Sequence, residues 1–138
     1  MIDYPAKLKE FQQLNKGSIC EHLAIEYTEL GEDFMSGKMP VDYRTVQPFG
    51  ILHGGASIVL AETLGSLGTF ASLPEGKICV GLDINANHIR SVTGGFIHGA
   101  AKCRHKGKTT QVWEINITDD KGNLVCISRI TMAVLDKR

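Results

Sequence analysis

The chain has 138 residues, of which 43% are hydrophobic and 22% charged, a composition typical of one globular domain. Fifteen basic side chains balance fifteen acidic ones, so the chain lacks the positive field through which proteins bind nucleic acids and anionic membranes. We therefore expect neither as a partner. The four cysteines are scattered singly, without the spacing of a zinc site. This predicts reduced thiols, no metal and a cytoplasmic location.

We expect residues 1–138 to form one domain whose first element is an N-terminal helix within residues 1–19. Between residues 6 and 16, apolar side chains recur every three positions, and Gly17 follows as a plausible C-terminal cap. No internal repeat, low-complexity tract or linker divides the chain. No apolar stretch reaches the roughly 18 residues that a membrane span requires.

A β-hairpin is predicted after the first helix. Apolar and polar residues alternate over residues 22–30, and the turn Gly31–Asp33 leads into a second stretch over residues 34–40. Residues 41–51 show no clean period and contain proline and glycine, so we expect a loop that delivers the chain to the next element.

Residues 53–73 are apolar, small or hydroxylic on every face except at Glu62, and Pro74 closes the stretch. This composition predicts a long central helix that is buried nearly all round. Gly65 and Gly68 each cost about 1 kcal/mol relative to alanine within a helix, so we expect another backbone to approach them closely.

Four stretches of period-two alternation follow and predict four strands. They cover residues 78–88, 95–105, 109–119 and 124–135. Short turns join the last three into an antiparallel meander. The order of elements predicts an α+β fold, in which an antiparallel sheet of about six strands curls around one long buried helix. Open edges of such a sheet favour pairing with a second copy of the chain.

Glu62 is the only carboxylate in the predicted central helix. A buried carboxylate without a partner is energetically expensive, so its presence favours a catalytic role as general base or nucleophile. The alternative is structural, with Glu62 on a solvated strip of the helix or capping a loop amide.

The helix begins with His53, Gly54 and Gly55, where free backbone N–H groups and the positive end of the helix dipole favour developing negative charge. Two glycines allow a ligand carbonyl to approach the backbone closely, as in an oxyanion hole. The alternative is that they only permit a tight turn. His53 beside Gln47 is a candidate for orienting a substrate carbonyl.

Gly55 and Glu62 lie about 10 Å apart along one helix, yet a base and an oxyanion donor must approach the same reacting group. We therefore predict a catalytic homodimer, in which Glu62 of one subunit faces Gly55 of the other across antiparallel helices. The small residues Gly65 and Gly68 would suit that approach. Ser66, one turn beyond Glu62, is expected to hydrogen bond the carboxylate or a water molecule.

Two basic segments are candidates for binding phosphate. Residues 85–91 end a predicted strand with His88 and Arg90, and the planar fork of arginine donates two parallel hydrogen bonds to phosphate. A second cluster at residues 104–108 occupies a predicted hairpin turn. The alternative for both is ordinary solvated charge at the ends of strands.

Three stretches, residues 47–66, 81–91 and 105–125, together resemble the hotdog-fold acyl-CoA thioesterases. The resemblance covers residues 20–135 and is greatest to the branch with 1,4-dihydroxy-2-naphthoyl-CoA hydrolase, the enterobactin proofreading thioesterase, and the phenylacetate and 4-hydroxybenzoyl-CoA thioesterases. It implies a dimer with a continuous sheet, commonly paired again into a homotetramer.

The resemblance also implies roles for individual residues. Glu62 would be nucleophile or general base, and the Gly55 N–H would polarise the thioester carbonyl. Supporting roles would fall to Gln47, His53 and Ser66. The implied CoA-binding residues are Gly81, His88, Ile89, Arg90, Ser91, Lys106, Gly107, Lys108, Thr109 and Thr110.

The sequence thus predicts a hydrolase of acyl-CoA thioesters, with an aromatic acyl group expected and no cofactor besides the CoA of the substrate. One alternative is a hotdog hydratase or dehydratase, in which His53 and Glu62 act as a pair across the dimer. Release of free thiol separates a hydrolase from these enzymes. The other alternative is a non-catalytic acyl-CoA-binding module. Such a protein would hydrolyse no thioester, and a Glu62→Gln change would leave its ligand binding nearly unchanged.

Overall fold

The computed structural model describes residues 1–138, and an antiparallel sheet curved around one long helix dominates it. The helices are α1 (Tyr4–Leu14), α2 (Ile19–His22) and α3 (Gly54–Ser72). The strands are β1 (Glu26–Leu30), β2 (Phe34–Pro40), β3 (Lys77–His88), β4 (Phe96–Lys106), β5 (Thr110–Asp119) and β6 (Leu124–Asp136). They form one six-stranded sheet in the order β1-β2-β4-β5-β6-β3. The predicted α+β fold is confirmed, and α3 contacts every strand from β2 to β6.

The N-terminal region contains the predicted helix within residues 1–19, α1, followed by a second, short helix that the sequence did not predict. The side chain of Asp3 caps the start of α1 by accepting from the Ala6 N–H at 3.1 Å, and α1 ends at Leu14. The chain then turns through Gly17, whose φ of 79° suits glycine, and Ser18 caps the short helix α2. Because α2 occupies residues 19–22, the first strand begins at residue 26 and not at residue 22.

Helix α3 starts one residue after and ends one residue before the predicted bounds of 53–73. Its buried residues recur at helical spacing along one face and are Ser57, Leu60, Ala61, Leu64, Gly65, Gly68, Thr69 and Ala71. The prediction of burial nearly all round is wrong within one chain, because the sheet covers only this face. The opposite face, including Ile58 and Val59, stays partly exposed.

The two interior glycines of α3 fit the helix against its own sheet. A Cβ atom on Gly65 would lie 2.6 Å from Ile130 Cγ2, and one on Gly68 would lie 2.7 Å from the Trp113 ring. Both neighbours are fully or almost fully buried side chains of the sheet. The expectation that these glycines admit another backbone, or a second helix across a dimer, is therefore wrong.

The two edges of the sheet differ in length and exposure. Strand β1 has five residues and packs beside α1, whereas β3 has twelve residues, none fully buried. Val80 and Leu82 of β3 are 46% and 62% exposed. The predicted meander β4-β5-β6 is confirmed, and β3 joins it by pairing with β6. None of the helices has the length and apolar character that crossing a membrane requires.

Candidate active site

His53 caps the start of α3 with its side chain. Its Nδ1 atom accepts a hydrogen bond from the Gly55 N–H at 2.8 Å. An imidazole nitrogen that accepts carries no proton, so in the neutral ring the proton is on Nε2. The backbone N–H predicted to hold an oxyanion is thus occupied by an exposed side chain that a ligand can displace.

Each glycine at the start of α3 lies against an imidazole ring. A Cβ atom on Gly54 would lie 2.7 Å from Nε2 of His88, and one on Gly55 would lie 2.9 Å from Nδ1 of His53. Neither glycine has a positive φ, so the backbone at these positions does not itself demand glycine for a turn. Because these two residues have no side chains, both imidazole rings have room to lie close to the helix terminus.

A cavity of about 320 Å³ opens between the start of α3 and the end of β3. Its wall consists of Gln47, Ile51, Leu52, Gly54, Ser57, His88, Ile89, Arg90, Ser91 and Val125. The structure therefore brings Gln47 and the helix terminus together with the basic segment 88–91. These two groups lie far apart in the sequence and were predicted to serve a carbonyl and a phosphate, respectively.

The carboxamide of Gln47 has a defined orientation in this cavity. Its Oε1 atom accepts a hydrogen bond from the backbone N–H of Phe49. Because Oε1 is held in this way, the two hydrogens on Nε2 are the groups that Gln47 can offer to a ligand. Two amide hydrogens suit an acceptor such as a carbonyl oxygen.

Ser57 also lines this cavity and was not predicted from the sequence. It is only 1% exposed, and its Oγ atom has no hydrogen-bond partner. Leaving a buried polar group unpaired costs about 1–3 kcal/mol. The available signal was its spacing, since Ser57 stands three, four and seven residues before the buried residues Leu60, Ala61 and Leu64. A hydroxyl on that core-facing stripe requires a partner.

Glu62 lies against β3 in the middle of α3. Its Oε2 atom is 2.9 Å from the position that a Cβ on Gly81 would occupy, so the missing side chain of Gly81 leaves room for the carboxylate. None of the ion pairs of the chain involves Glu62. The carboxylate is half-buried.

A second cavity, of about 280 Å³, lies between α1 and α3. Its wall consists of Phe11, Leu14, Asn15, Ser18, Cys20, Tyr27, Glu62, Thr63, Ser66 and Leu67. The Tyr27 hydroxyl donates to Asn15 Oδ1 at 2.6 Å, and burial raises the pKa of Tyr27 well above its usual value. The cavity therefore combines the Glu62 carboxylate with apolar side chains and a neutral phenol.

Ser66 shares this second cavity with Glu62, but its hydroxyl points elsewhere. Its Oγ atom donates to the sulfur of Met132 at 3.7 Å. The expected hydrogen bond between Ser66 and the Glu62 carboxylate is not formed in this structure. A hydroxyl bonded only to a weak sulfur acceptor can still turn to a water molecule or ligand.

The second basic segment lies at the other end of α3. Lys106 lines a surface cavity with Ala71 and Ser72, and its Nζ donates to the Glu32 carbonyl at 3.0 Å. Gly54 and Ser72 are about 27 Å apart along the helix axis. One chain therefore does not bring the 106–110 turn close to the 88–91 segment, nor Glu62 to Gly55.

A curved antiparallel sheet around a long helix, with a polar cavity at the helix start and a carboxylate halfway along it, defines a hotdog-fold protein. The sequence matches the thioesterase superfamily over residues 49–126. A solved thioesterase from Haemophilus influenzae is 48% identical, with a TM-score of 0.90, and the match covers 94% of this chain and 90% of that chain.

Named relatives agree with this match. The proofreading thioesterase EntH of Cronobacter turicensis is 46% identical, and the match covers 93% of both chains. The 1,4-dihydroxy-2-naphthoyl-CoA hydrolase of Escherichia coli is 45% identical, over 93% of this chain and 94% of that protein. The chain belongs to the thioesterase superfamily and is a thioester hydrolase, which confirms the predicted class of enzyme.

Proposed function

We propose that the protein hydrolyses acyl-CoA thioesters to a free acid and CoA. The observation that carries this proposal is the cavity at the start of α3, where Gln47 and the helix terminus face the basic residues His88 and Arg90. CoA presents phosphates at one end of its pantetheine arm and the thioester carbonyl at the other. Because Gly54 lies directly against His88, this cavity holds one of these two groups, and the other end of the same acyl-CoA lies outside it.

In the proposed reaction, the carbonyl oxygen takes the place of His53 Nδ1 as the acceptor of the Gly55 N–H. This donor stabilises the negative charge that develops on the oxygen as the carbonyl is attacked. Glu62 either takes a proton from the attacking water or attacks directly, giving an anhydride that water then cleaves. In both cases the C–S bond breaks, CoA leaves as its thiolate, and no electrons are transferred. We therefore propose that no metal or redox cofactor takes part.

We propose that the active unit is a homodimer, because Glu62 and Gly55 of one chain are about 10 Å apart along α3. The long open edge of β3 and its exposed apolar side chains Val80 and Leu82 support pairing of two sheets at this edge. An antiparallel pair of α3 helices would also bring the 106–110 turn of one subunit towards the 88–91 segment of the other. We propose a pair of such dimers, a homotetramer, as the complete assembly.

We propose an aromatic acyl group as the part of the substrate that lies near Glu62. Leu14 and Leu67 supply apolar surface in the second cavity, and the rings of Phe11 and Tyr27 lie in its wall. The E. coli relative is named as the hydrolase of an aromatic acyl-CoA. We also propose a cytoplasmic location, which the four separate, unpaired cysteines support.

The substrate proposal is tested by incubating the purified protein with aromatic and aliphatic acyl-CoA thioesters and detecting free thiol. We expect aromatic acyl-CoA to be hydrolysed with the highest kcat/KM and a metal chelator to leave the rate unchanged. Absence of free thiol with every acyl-CoA would refute the proposal. Conversion of the acyl chain with the thioester intact would indicate a hydratase or dehydratase instead.

The shared site is tested by mixing two variants, Gln47→Ala and Glu62→Gln, that are each expected to be nearly inactive. If one subunit supplies Gln47 and the other supplies Glu62, a mixed dimer contains one intact site. Random re-association would then restore about a quarter of the wild-type activity. Mixing that restores no activity, although mixed dimers are detected by mass, would show that each chain builds its own site.

A further inference from the structure

Three glycines in the strands face α3, and one of them meets a carboxylate where the other two meet an apolar side chain. A Cβ atom on Gly37 would lie 2.9 Å, and one on Gly99 2.6 Å, from a methyl group of the buried Leu64. A Cβ atom on Gly81 would lie 2.9 Å from Oε2 of Glu62, its nearest neighbour. Gly81 has no positive φ, so its backbone conformation does not demand glycine. The space beside Gly81 is instead occupied by the charged end of Glu62.

A β-bulge places Gly81 on the side of β3 that faces α3. The inward-facing residues of β6 recur at every second position over residues 126–134, and all of them are buried. Their partners in β3 are residues 88, 86, 84, 81 and 79. Leu82 is the extra residue between 81 and 84, since Gly81 and Asp83 pair with consecutive residues of β6. Bulges re-aim side chains in this way and are frequent beside active sites, and this one allows the same strand to face α3 with both Gly81 and His88.

No ion pair within the chain fixes the position of the Glu62 carboxylate. The hydroxyl of Ser66, one turn along α3, donates to the sulfur of Met132 and not to this carboxylate. The flexible Glu62 side chain has several rotamers, so its position depends on which space is open to it. A catalytic group must be held within about 0.5 Å of its productive position. The shape of the space beside Gly81 therefore bears directly on the rate.

We infer that Gly81 is a positioning residue for Glu62, because its missing side chain lets the carboxylate lie against β3. This inference rests on the proposed role of Glu62 as general base or nucleophile. The family resemblance implies a different role for Gly81, namely contact with CoA. A methyl group at this position separates the two roles. It displaces the carboxylate if Gly81 positions Glu62, and it obstructs the substrate if Gly81 contacts CoA.

The experiment compares wild type with Gly81→Ala on the acyl-CoA that wild type hydrolyses fastest. Ordinary contact between the new methyl and the Glu62 oxygen requires at least 3.4 Å, and the structure leaves 2.9 Å, so the carboxylate must move by about half an ångström. Misplacing a reacting group by 1 Å can cost about 100-fold in rate. We therefore expect kcat to fall about tenfold while KM changes by no more than about twofold. A raised KM with an unchanged kcat would overturn the inference and favour contact with CoA.

A double variant shows whether the effect passes through Glu62. Glu62→Gln already lacks the carboxylate that the methyl group displaces. Adding Gly81→Ala to Glu62→Gln should therefore change the residual single-turnover rate by no more than about twofold. An equal loss in both backgrounds would show that Gly81 acts independently of Glu62, and would overturn the inference.

The matched control is Gly99→Ala, which adds a methyl group to another strand glycine that faces α3. This methyl would lie 2.6 Å from Leu64, a fully buried side chain, so we expect a lower unfolding temperature and a smaller loss of kcat than in Gly81→Ala. We expect Gly81→Ala to unfold at the same or a higher temperature than wild type, because its methyl displaces only the end of a flexible side chain and alanine restricts the unfolded chain. A lower unfolding temperature or a changed native mass of Gly81→Ala would place its effect in the fold or in subunit contacts, and would overturn the inference.

The Glu62→Gln variant separates failure of the inference from failure of the proposed function. If Glu62→Gln is inactive and Gly81→Ala keeps the wild-type kcat, the inference fails and the proposed role of Glu62 stands. If Glu62→Gln is as active as wild type, the proposed role of Glu62 fails and the inference fails with it.

Discussion

The two halves of α3 meet the rest of the chain in opposite ways. In the C-terminal half, Gly65 and Gly68 lie tightly against the side chains of Ile130 and Trp113. In the N-terminal half, Gly54 lies against the exposed ring of His88 and a buried serine has no partner. The same residue type, glycine, thus serves close packing with the sheet at one end and access for movable rings at the other.

Hydrogen bonding shows the same contrast. Near the C-terminal half, Trp113 Nε1 donates to Gln111 Oε1, and Gln111 Nε2 donates to Ser72 Oγ, both at 2.9 Å. Every polar group in that chain of contacts is satisfied within the protein. At the N-terminal end, the Gly55 N–H is held only by an exposed imidazole. The hydrogen bonds beside the C-terminal half are complete and stabilise the fold, whereas the Gly55 N–H at the N-terminal end is held by a side chain that another acceptor can replace.

The largest expected effect is that of Glu62→Gln on catalysis. Loss of a general base lowers kcat by about 10²–10⁴-fold, and the same change removes a nucleophile. Stability should not fall, because Glu62 forms no ion pair in the chain. Steady-state kinetics and thermal unfolding check both points, with the exposed Glu75→Gln as control. An active Glu62→Gln enzyme would remove the carboxylate from the mechanism.

The next effect concerns stability and the packed half of the helix. Gly68→Ala gains about 1 kcal/mol of helix propensity, but its methyl would lie 2.7 Å from the buried ring of Trp113. Overpacking a core typically costs about 1–3 kcal/mol, so we expect a net loss of stability in chemical denaturation. Gly94→Ala is the control, since nothing lies within 4 Å of its added methyl. Equal stability of Gly68→Ala and wild type would show that the contact is loose.

Helix α3 and its glycines also show what the sequence alone can determine. Alternation and length were enough to predict most of the sheet and α3, because the bounds of the four alternating stretches match β3 to β6, and those of the apolar stretch match α3, to within one residue at each end. Spacing placed Gly65 and Gly68 on one face of the helix. It could not show whether a sheet or a second helix covers that face, because the strand order is set by long-range pairing.

The candidate site was predictable only in part. The resemblance implied a catalytic role for Gln47 and CoA binding for the 88–91 segment, and one cavity contains both. The bond from the Gly55 N–H to His53 depends on a side-chain rotamer, which no spacing encodes. Ser57 was missed because serine is common on helix surfaces, and its burial follows from how the sheet curves over the first turns of α3.

A smaller effect is expected at the open end of the helix. A methyl at Gly54 would lie 2.7 Å from His88 Nε2, and the exposed ring can swing away at little cost. We expect Gly54→Ala to keep its stability but to raise KM for acyl-CoA several-fold, because the ring leaves the cavity. The double variant with His88→Ala should be no weaker than His88→Ala alone. Additive effects of the two changes would show that Gly54 acts independently of the ring.

The smallest effect is expected at the loop that leads into α3, where Asp42 and Arg44 form an ion pair of 2.6 Å. Arg44 lowers the pKa of Asp42 below its ordinary value of 3.8. A lowered pKa in the folded state adds stability above pH 3.8, and this contribution disappears as pH falls through the folded pKa. Because both side chains are partly exposed, solvent screening keeps the contribution small.

This loop holds the N-terminal half of α3 in place, since the Thr45 carbonyl accepts from the His53 N–H at 2.8 Å. Asp42→Asn should therefore unfold slightly more readily than wild type at neutral pH, and the difference should shrink towards zero below about pH 4. Unfolding curves of both proteins between neutral and acidic pH check this, with Asp136→Asn as a comparison, since Asp136 forms an exposed ion pair with Lys77. A difference that stays constant with pH would mean that the Asp42 charge does not stabilise this loop, leaving the hydrogen bond that Asp42 accepts from the Arg44 backbone N–H as the cause.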